Sequence, residues 1–123
     1  MTQRILIVDD SNIIRSHCRI VLQKAGYEVI EAWDAAQARA ALKQQEIAFV
    51  LCDLNIPGMS GIELIEAMRS HPKFSNLPAA IFTAESSPEL LQRAKNAGVT
   101  HWLRKPYKAE ELLALVAQHA GAP

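Results

Sequence analysis

The sequence predicts an α/β protein: a three-layer, doubly wound sheet of five parallel strands. Three observations predict it. Five short apolar runs alternate with five helix-patterned segments along 123 residues. The runs are continuous and rich in β-branched residues, which suits strands covered on both faces. The links are short, and a repeated β-α order with short links demands parallel strands with helices above and below.

The first strand is Ile5-Leu-Ile-Val8, with Asp9 and Asp10 at its C-terminal end. Ser11 can cap the helix that follows. That helix recurs apolar at Ile14, Cys18, Val21, Leu22 and Ala25, and Gly26 stops it. The second strand, Tyr27 to Ala32, carries polar positions that place it near the sheet edge. Asp34 with Gln37 reads as a capping box, and the helix to about Gln44 turns Ala38, Ala41 and Leu42 inward. The third strand runs from Ile47 to Cys52 and delivers Asp53. A loop marked by Pro57, Gly58 and Gly61 follows. Ser60 with Glu63 is a second capping box, opening a helix that presents Ile62, Ile65 and Met68 and ends before Pro72. The fourth strand is Leu77 to Phe82, with Pro78 near its start because proline cannot donate within a ladder. Thr83 stands at its end. Ser86, Pro88 and Glu89 start the fourth helix, which stops at Gly98. Thr100 to Leu103 is the fifth strand, closed by Lys105-Pro106. The last helix runs from about Ala109 to His119, with Leu112, Leu113 and Val116 inward. Lys108 is a poor N-cap, but Glu110 and Glu111 suit the helix dipole.

The length fits one domain with one core, ordered over about residues 4–120, with Gly121-Ala-Pro123 as a frayed tail. Half the residues are hydrophobic, so a sizeable core can be buried. Thirteen Lys and Arg balance thirteen Asp and Glu, which argues against a polybasic nucleic-acid surface. No apolar run spans a membrane, and Met1-Thr-Gln-Arg4 lacks a signal-peptide layout, so the chain is read as cytoplasmic. Cys18 and Cys52 are read as buried, reduced thiols. His17, His71, His101 and His119 are read as surface or packing residues.

Parallel strands place all their C-terminal ends along one edge. That edge collects Asp9, Asp10, Asp53, Thr83 and Lys105, which is more than scattered loop polarity would give. Three carboxylates close together raise each other's pKa unless a cation intervenes. Hard oxygen ligands with room for water favour Mg²⁺. Alternation turns Cys52 away from Asp53, and nothing calls for zinc. A divalent ion beside a carboxylate and an ammonium suits phosphoryl chemistry. Asp53 would be the nucleophile, forming an acyl phosphate, and Thr83 could donate to the phosphate.

Four pieces in order then carry a family likeness: Val8-Asp-Asp-Ser11, Cys52-Asp-Leu-Asn-Ile-Pro-Gly-Met-Ser-Gly61, Phe82-Thr-Ala-Glu85 and Leu103-Arg-Lys-Pro-Tyr107. The chain resembles a response-regulator receiver domain of two-component signalling, similar to the chemotaxis-type single-domain members, over Arg4 to about Ala120. The resemblance implies a flavodoxin-like (βα)5 fold and roles residue by residue. Asp53 would be the phosphoacceptor. Asp10 would bind Mg²⁺ directly with the Asn55 carbonyl, and Asp9 largely through water. Thr83 and Lys105 would hold the phosphoryl group, and the Lys105-Pro106 peptide would be cis. The donor would be a phosphohistidine on a histidine kinase or histidine phosphotransfer protein. Such a protein is no enzyme in the ordinary sense: it catalyses only its own phosphorylation and dephosphorylation. Asn55 and Glu85, two residues beyond Asp53 and Thr83, would orient an attacking water and give a fairly short-lived acyl phosphate. Exposed loop residues are the bland alternative for that pair.

One position departs from the family. Trp102, three residues before the lysine, stands where Tyr or Phe is more usual. It reads either as a half-buried packing residue or as the aromatic that follows Thr83 inward on phosphorylation, with a bulk that crowds that movement. Output would be binding of another protein on the fourth helix, fifth strand and fifth helix, at Leu90, Trp102, Lys108 and Glu111. No DNA-binding or catalytic segment is expected. An excised receiver from a larger regulator or hybrid histidine kinase is the alternative. A flavin carrier of the flavodoxin type would want a Ser/Thr/Gly-rich phosphate loop where Asp9-Asp10 stands. A dehalogenase-type phosphohydrolase would want an acid where Asn55 stands.

Overall fold

The computed structural model describes residues 2–85 and 87–123. Five strands form one parallel sheet: β1 (Arg4–Val8), β2 (Glu28–Ala32), β3 (Phe49–Asp53), β4 (Ala79–Thr83) and β5 (His101–Arg104). Their spatial order is β2-β1-β3-β4-β5. The reversal of direction in that order lies between β1 and β3, whose ends carry Asp9, Asp10 and Asp53. In open α/β sheets such a crevice is where ligands bind. β2 is an edge strand, as its polar pattern predicts.

Five α-helices cover the sheet among the described residues: α1 (Asn12–Lys24), α2 (Ala35–Gln44), α3 (Gly61–Arg69), α4 (Pro88–Asn96) and α5 (Ala109–Ala120). Strand alternation divides the core in two. Leu6, Val8, Val50, Cys52, Ala79 and Ile81 pack with α2, α3 and Ala94 of α4. Ile5, Ile7, Phe49, Leu51, Ala80 and Phe82 pack with α1 and α5. α3 buries Gly61, Ile62, Leu64, Ile65 and Met68, whereas α4 buries Ala94 alone.

Local chemistry fixes the helix ends. The Ser11 hydroxyl accepts from the Ile14 N–H at 3.3 Å. Ser60 and Glu63 form the full reciprocal box. At α2, Asp34 accepts from Gln37 N–H, but the Gln37 side chain accepts from Trp33 N–H instead of closing on Asp34. Ser86 lies outside the described residues, and Ser87 is the cap of α4, accepting from Leu90 N–H. Lys108 makes no side-chain cap, and Glu111 accepts its backbone N–H at 2.9 Å.

Several expectations shift. β3 begins at Phe49 rather than Ile47 and reaches Asp53. β4 begins after Pro78, whose carbonyl accepts from Val50 N–H. β5 lies one residue later than the apolar run, because Thr100 turns its N–H and hydroxyl to the Ala79 carbonyl. Ala25 is exposed, Arg15 is buried, and Leu64 and Leu115 join the core. The C-terminal tail does not fray freely. Tyr27 donates to the Gly121 carbonyl at 2.7 Å, and Pro123 lies against Gly26. Cys18 and Cys52 are both free and buried. Burial pushes the Cys18 thiol up to about 11 and raises Cys52 as well. Among the described residues no helix is long and apolar enough to cross a membrane.

His119 is the partly buried histidine. Its ring stacks on Phe49, with centroids 5.7 Å apart and planes 8° apart. Its Nε2 is buried with no partner among the described residues. Burial, and then the nearby His101, lowers its pKa. The unfolded chain therefore takes up a proton that the fold resists. Stability from this group is full above the unfolded value of about 6.5, and it is lost as pH falls through that value toward the lower folded one. Urea midpoints should accordingly drop more steeply in wild type than in His119→Phe between about pH 7 and pH 5. Parallel curves for the two proteins would show that His119 does not carry the dependence.

Candidate functional site

The site is built from strand ends. Asp9 follows β1, Asp53 ends β3, and Val8 pairs with Cys52 in register, so the two acids stand side by side. Asp53 pairs with Phe82, and Phe82 with Leu103. Lys105 lies two residues beyond Leu103, on the same side of the sheet by alternation. Its ammonium sits 4.6 Å above the Phe82 ring, 2.8 Å from Asp9 Oδ2 and 3.4 Å from Asp53 Oδ2.

Asp9 is 1% exposed, and both its oxygens are engaged. Oδ2 accepts from Lys105, and Oδ1 accepts from Ser11 N–H at 2.8 Å. Asp10 is exposed and Asp53 is half-buried. One carboxylate oxygen from each of the three acids lies within 4.8 Å of the others. Burial pushes the Asp53 carboxyl above its ordinary range, with the Lys105 charge opposing and Asp9 adding to the rise. For Lys105, burial works against the charge, but the bond to Asp9 and the charges of Asp53 and Asp9 prevail and raise its pKa. A single ammonium thus pairs with two of the three crowded acids, Asp9 and Asp53. An all-oxygen donor set of this kind fits a hard divalent cation. Asp10 and Asp53 hold the accessible oxygens, since Asp9 is already committed on both sides.

Thr83 ends β4 and is buried. Its hydroxyl accepts from Glu85 N–H at 3.2 Å, and its carbonyl accepts from Lys105 N–H at 2.9 Å. Asn55 donates to the Glu85 carboxylate at 2.9 Å. The pair singled out in the sequence therefore bridges the loops after β3 and β4. The Lys105-Pro106 peptide is cis. Trp102 is half-buried on β5 and pairs with Ile81, so it shares a sheet face with Thr83 two residues on.

The segment after Asp53 is more ordered than its loop composition predicts. Asn55–Ile56 and Met59–Ser60 pair as a two-residue-armed hairpin. Pro57-Gly58 makes its turn, with Gly58 at φ +98°, the conformation a type II turn requires. The Pro57 carbonyl accepts from Ala35 N–H, tying the hairpin to α2. Gly61 closes the structure beneath Asp53: its N–H donates to the Leu54 carbonyl, and a Cβ there would collide with the Asp53 carbonyl oxygen.

Sequence reasoning also missed Arg15. It donates to the Asp9 carbonyl and to Asn12. Its Nε donates to Glu31, which also pairs with Arg19. The Trp33 ring covers its guanidinium at 5.7 Å. The helical pattern scored Arg15 as polar, yet the Glu31 partner on β2 lets it be buried. An arginine five residues beyond Asp10 was the available signal.

The model of the response regulator receiver domain family matches residues 5–117. The chain belongs to that family. Its fold is similar to that of chemotaxis protein CheY4 of Vibrio cholerae, with a TM-score of 0.92, 36% identity, and 97% of this chain and 99% of that one covered. Chemotaxis protein CheY-3 of V. cholerae is 36% identical over 110 residues, covering 89% of this chain and 85% of that protein. The CAI-1 autoinducer sensor kinase/phosphatase CqsS of the same species is 34% identical over 94% of this chain, which spans only 17% of the kinase. The flavodoxin-like fold and the two-component receiver class expected from the sequence are thus both found.

The glycine beneath Asp53 gives a direct test of the geometry. Gly61→Ala should lower stability by about 1–3 kcal/mol in urea unfolding, as overpacking does. An unchanged midpoint would mean that the Asp53 carbonyl can move away at no cost.

Proposed function

We propose that this receiver is a phosphoacceptor switch. Asp53 accepts a phosphoryl group from a phosphohistidine on a histidine kinase or histidine phosphotransfer protein. The observation that carries the reading is Lys105, whose ammonium lies between the Asp9 and Asp53 carboxylates in a pocket shared with Asp10.

Asp10, Asp53 and the Asn55 carbonyl would hold Mg²⁺, with Asp9 acting through water. The bound ion would supply positive charge to the phosphoryl oxygens. The remaining work falls to the chain. An Asp53 carboxylate oxygen attacks phosphorus, the P–N bond breaks, and the departing imidazole takes a proton. Lys105 follows the charge onto the phosphoryl oxygens. The Thr83 hydroxyl, which accepts from Glu85 N–H, keeps its own proton to donate. The Asn55–Glu85 pair stands where it can orient the water that later hydrolyses the acyl phosphate.

Output would be a protein bound to the face formed by α4, β5 and α5. Trp102 links that face to the site. Its indole N–H is buried with no acceptor among the described residues, a situation that disfavours the observed rotamer. α4, which lines a cavity with it through Leu91, Ala94 and Lys95, buries Ala94 alone. A receiver unit working inside a longer regulator or hybrid kinase is the second reading, favoured by the likeness to CqsS.

Incubation with Mg²⁺ and acetyl phosphate, followed by intact mass, tests the acceptor. Wild type should gain one phosphoryl group and lose it within minutes to a few hours, and Asp53→Ala should gain none. Equal labelling of Asp53→Ala would refute the assignment. The Thr83–Trp102 coupling is read separately, by fluorescence in a Trp33→Phe background so that Trp102 alone reports. Its emission should shift on phosphorylation and should not shift in Thr83→Ala. Unchanged emission in a sample already shown to be phosphorylated would remove Trp102 from the switch.

A further inference from the structure

A second concavity lies between α2 and α3, away from the site. Both helices start at the Asp53 edge, and the groove draws on their later turns. Its volume is about 300 Å³, at the small end of the range of about 300–1,000 Å³ found for small-molecule sites. Leu42, Leu64, Met68 and Phe74 provide apolar walls. Arg39, Lys43 and Lys73 stand around them.

The charge there is lopsided. The chain as a whole is neutral, yet three cations meet at this one groove. Arg39 and Lys43 are four residues apart on α2, a spacing at which like charges weaken a helix. α2 carries no acid to offset them, and neither makes an ion pair among the described residues. Lys73 reaches Glu46 only at 3.7 Å, and that glutamate is 86% exposed. An anion held against the apolar wall would relieve the repulsion, and it would do so in a medium less screening than water.

The groove is also short. It uses about one turn of α2, roughly 5.4 Å of axis. A docked peptide helix needs anchors over two or more turns. We propose that this groove binds a small amphiphilic anion: an apolar ring or short chain ending in a carboxylate or sulfonate. The apolar body lies against Ala67 and Phe74, over the buried Leu42, Leu64 and Met68, and the head group pairs with Arg39 and Lys43.

The test uses the intact protein with 1-anilinonaphthalene-8-sulfonate as fluorescent probe, decanoate as competitor and amide chemical shifts as the map. One saturable site is expected, displaced by decanoate, with shifts centred on Leu42, Leu64, Ala67 and Phe74. Arg39→Gln with Lys43→Gln should weaken binding about tenfold or more. Ala67→Glu, an exposed helix position lining the groove, should abolish it while leaving the melting temperature of the free protein near wild type. Decyltrimethylammonium, with a chain one carbon longer and the opposite charge, should not compete. Absence of saturable binding up to about 1 mM, equal competition by the cation, or shifts centred elsewhere would each overturn the proposal.

Discussion

One buried ion pair sets the terms for the site. Asp9 is almost wholly removed from water, and a buried charge is costly unless it is paired and hydrogen-bonded. The Lys105 ammonium at 2.8 Å and the Ser11 N–H are its partners, one on each carboxylate oxygen. Removing one partner of such a pair commonly costs about 3–5 kcal/mol. The pair joins residues 96 apart in sequence, so it forms only when β1, β3, β4 and β5 are all in register. The same ammonium then lies close enough to Asp53 to feel both charges. Fold and site are therefore not separable here, because the contact that satisfies the buried Asp9 also equips the half-buried Asp53.

The backbone around Asp53 is held from two sides. Gly61 permits the chain to pass directly beneath the Asp53 carbonyl, and the hairpin it closes is pinned to α2 through Pro57. On the other side Arg15 fixes the Asp9 carbonyl, and the Glu31–Arg19 pair holds Arg15 in turn. Neither support touches an acidic oxygen of the site. Both restrict where those oxygens can go, and a constellation of like charges requires such restriction because repulsion alone would spread it.

The sequence made the architecture legible where one local signal was enough. Continuous apolar runs marked the strands, Ser11 and Ser60 marked helix starts, and strand ends placed Asp9, Asp53 and Lys105 on one edge. What escaped depended on a distant partner. Arg15 is buried because Glu31 lies on the neighbouring strand, which no helical period encodes. Gly61 read as a loop marker, although its role is close approach to a backbone eight residues earlier. Ile47 is apolar but precedes β3, because ladder pairing with β1 starts only at Phe49. Thr100 looked like strand and serves instead to cap the Ala79 carbonyl. Each miss is a case of tertiary hydrogen bonding overriding local pattern.

The charges of the pocket indicate where a change at Asp53 would be felt. Three carboxylates and one ammonium leave a deficit that a divalent ion would balance on the proposed reading. A phosphoryl group on Asp53 replaces a single charge by one nearer −2, and the new oxygens need donors. On the β1 side both Asp9 oxygens are taken by Lys105 and the Ser11 N–H, and Arg15 is held by the Asp9 carbonyl, Asn12 and Glu31. The β4 side differs. The Thr83 hydroxyl still has its proton, the Asn55–Glu85 bridge is exposed, and α4 beyond them buries only Ala94. Loosely packed elements open and rearrange at lower cost than well-packed ones. Added charge at Asp53 would thus act on the corner of the fold where donor capacity is unused and packing is thinnest, and Trp102, with its unpartnered N–H, lies in that corner.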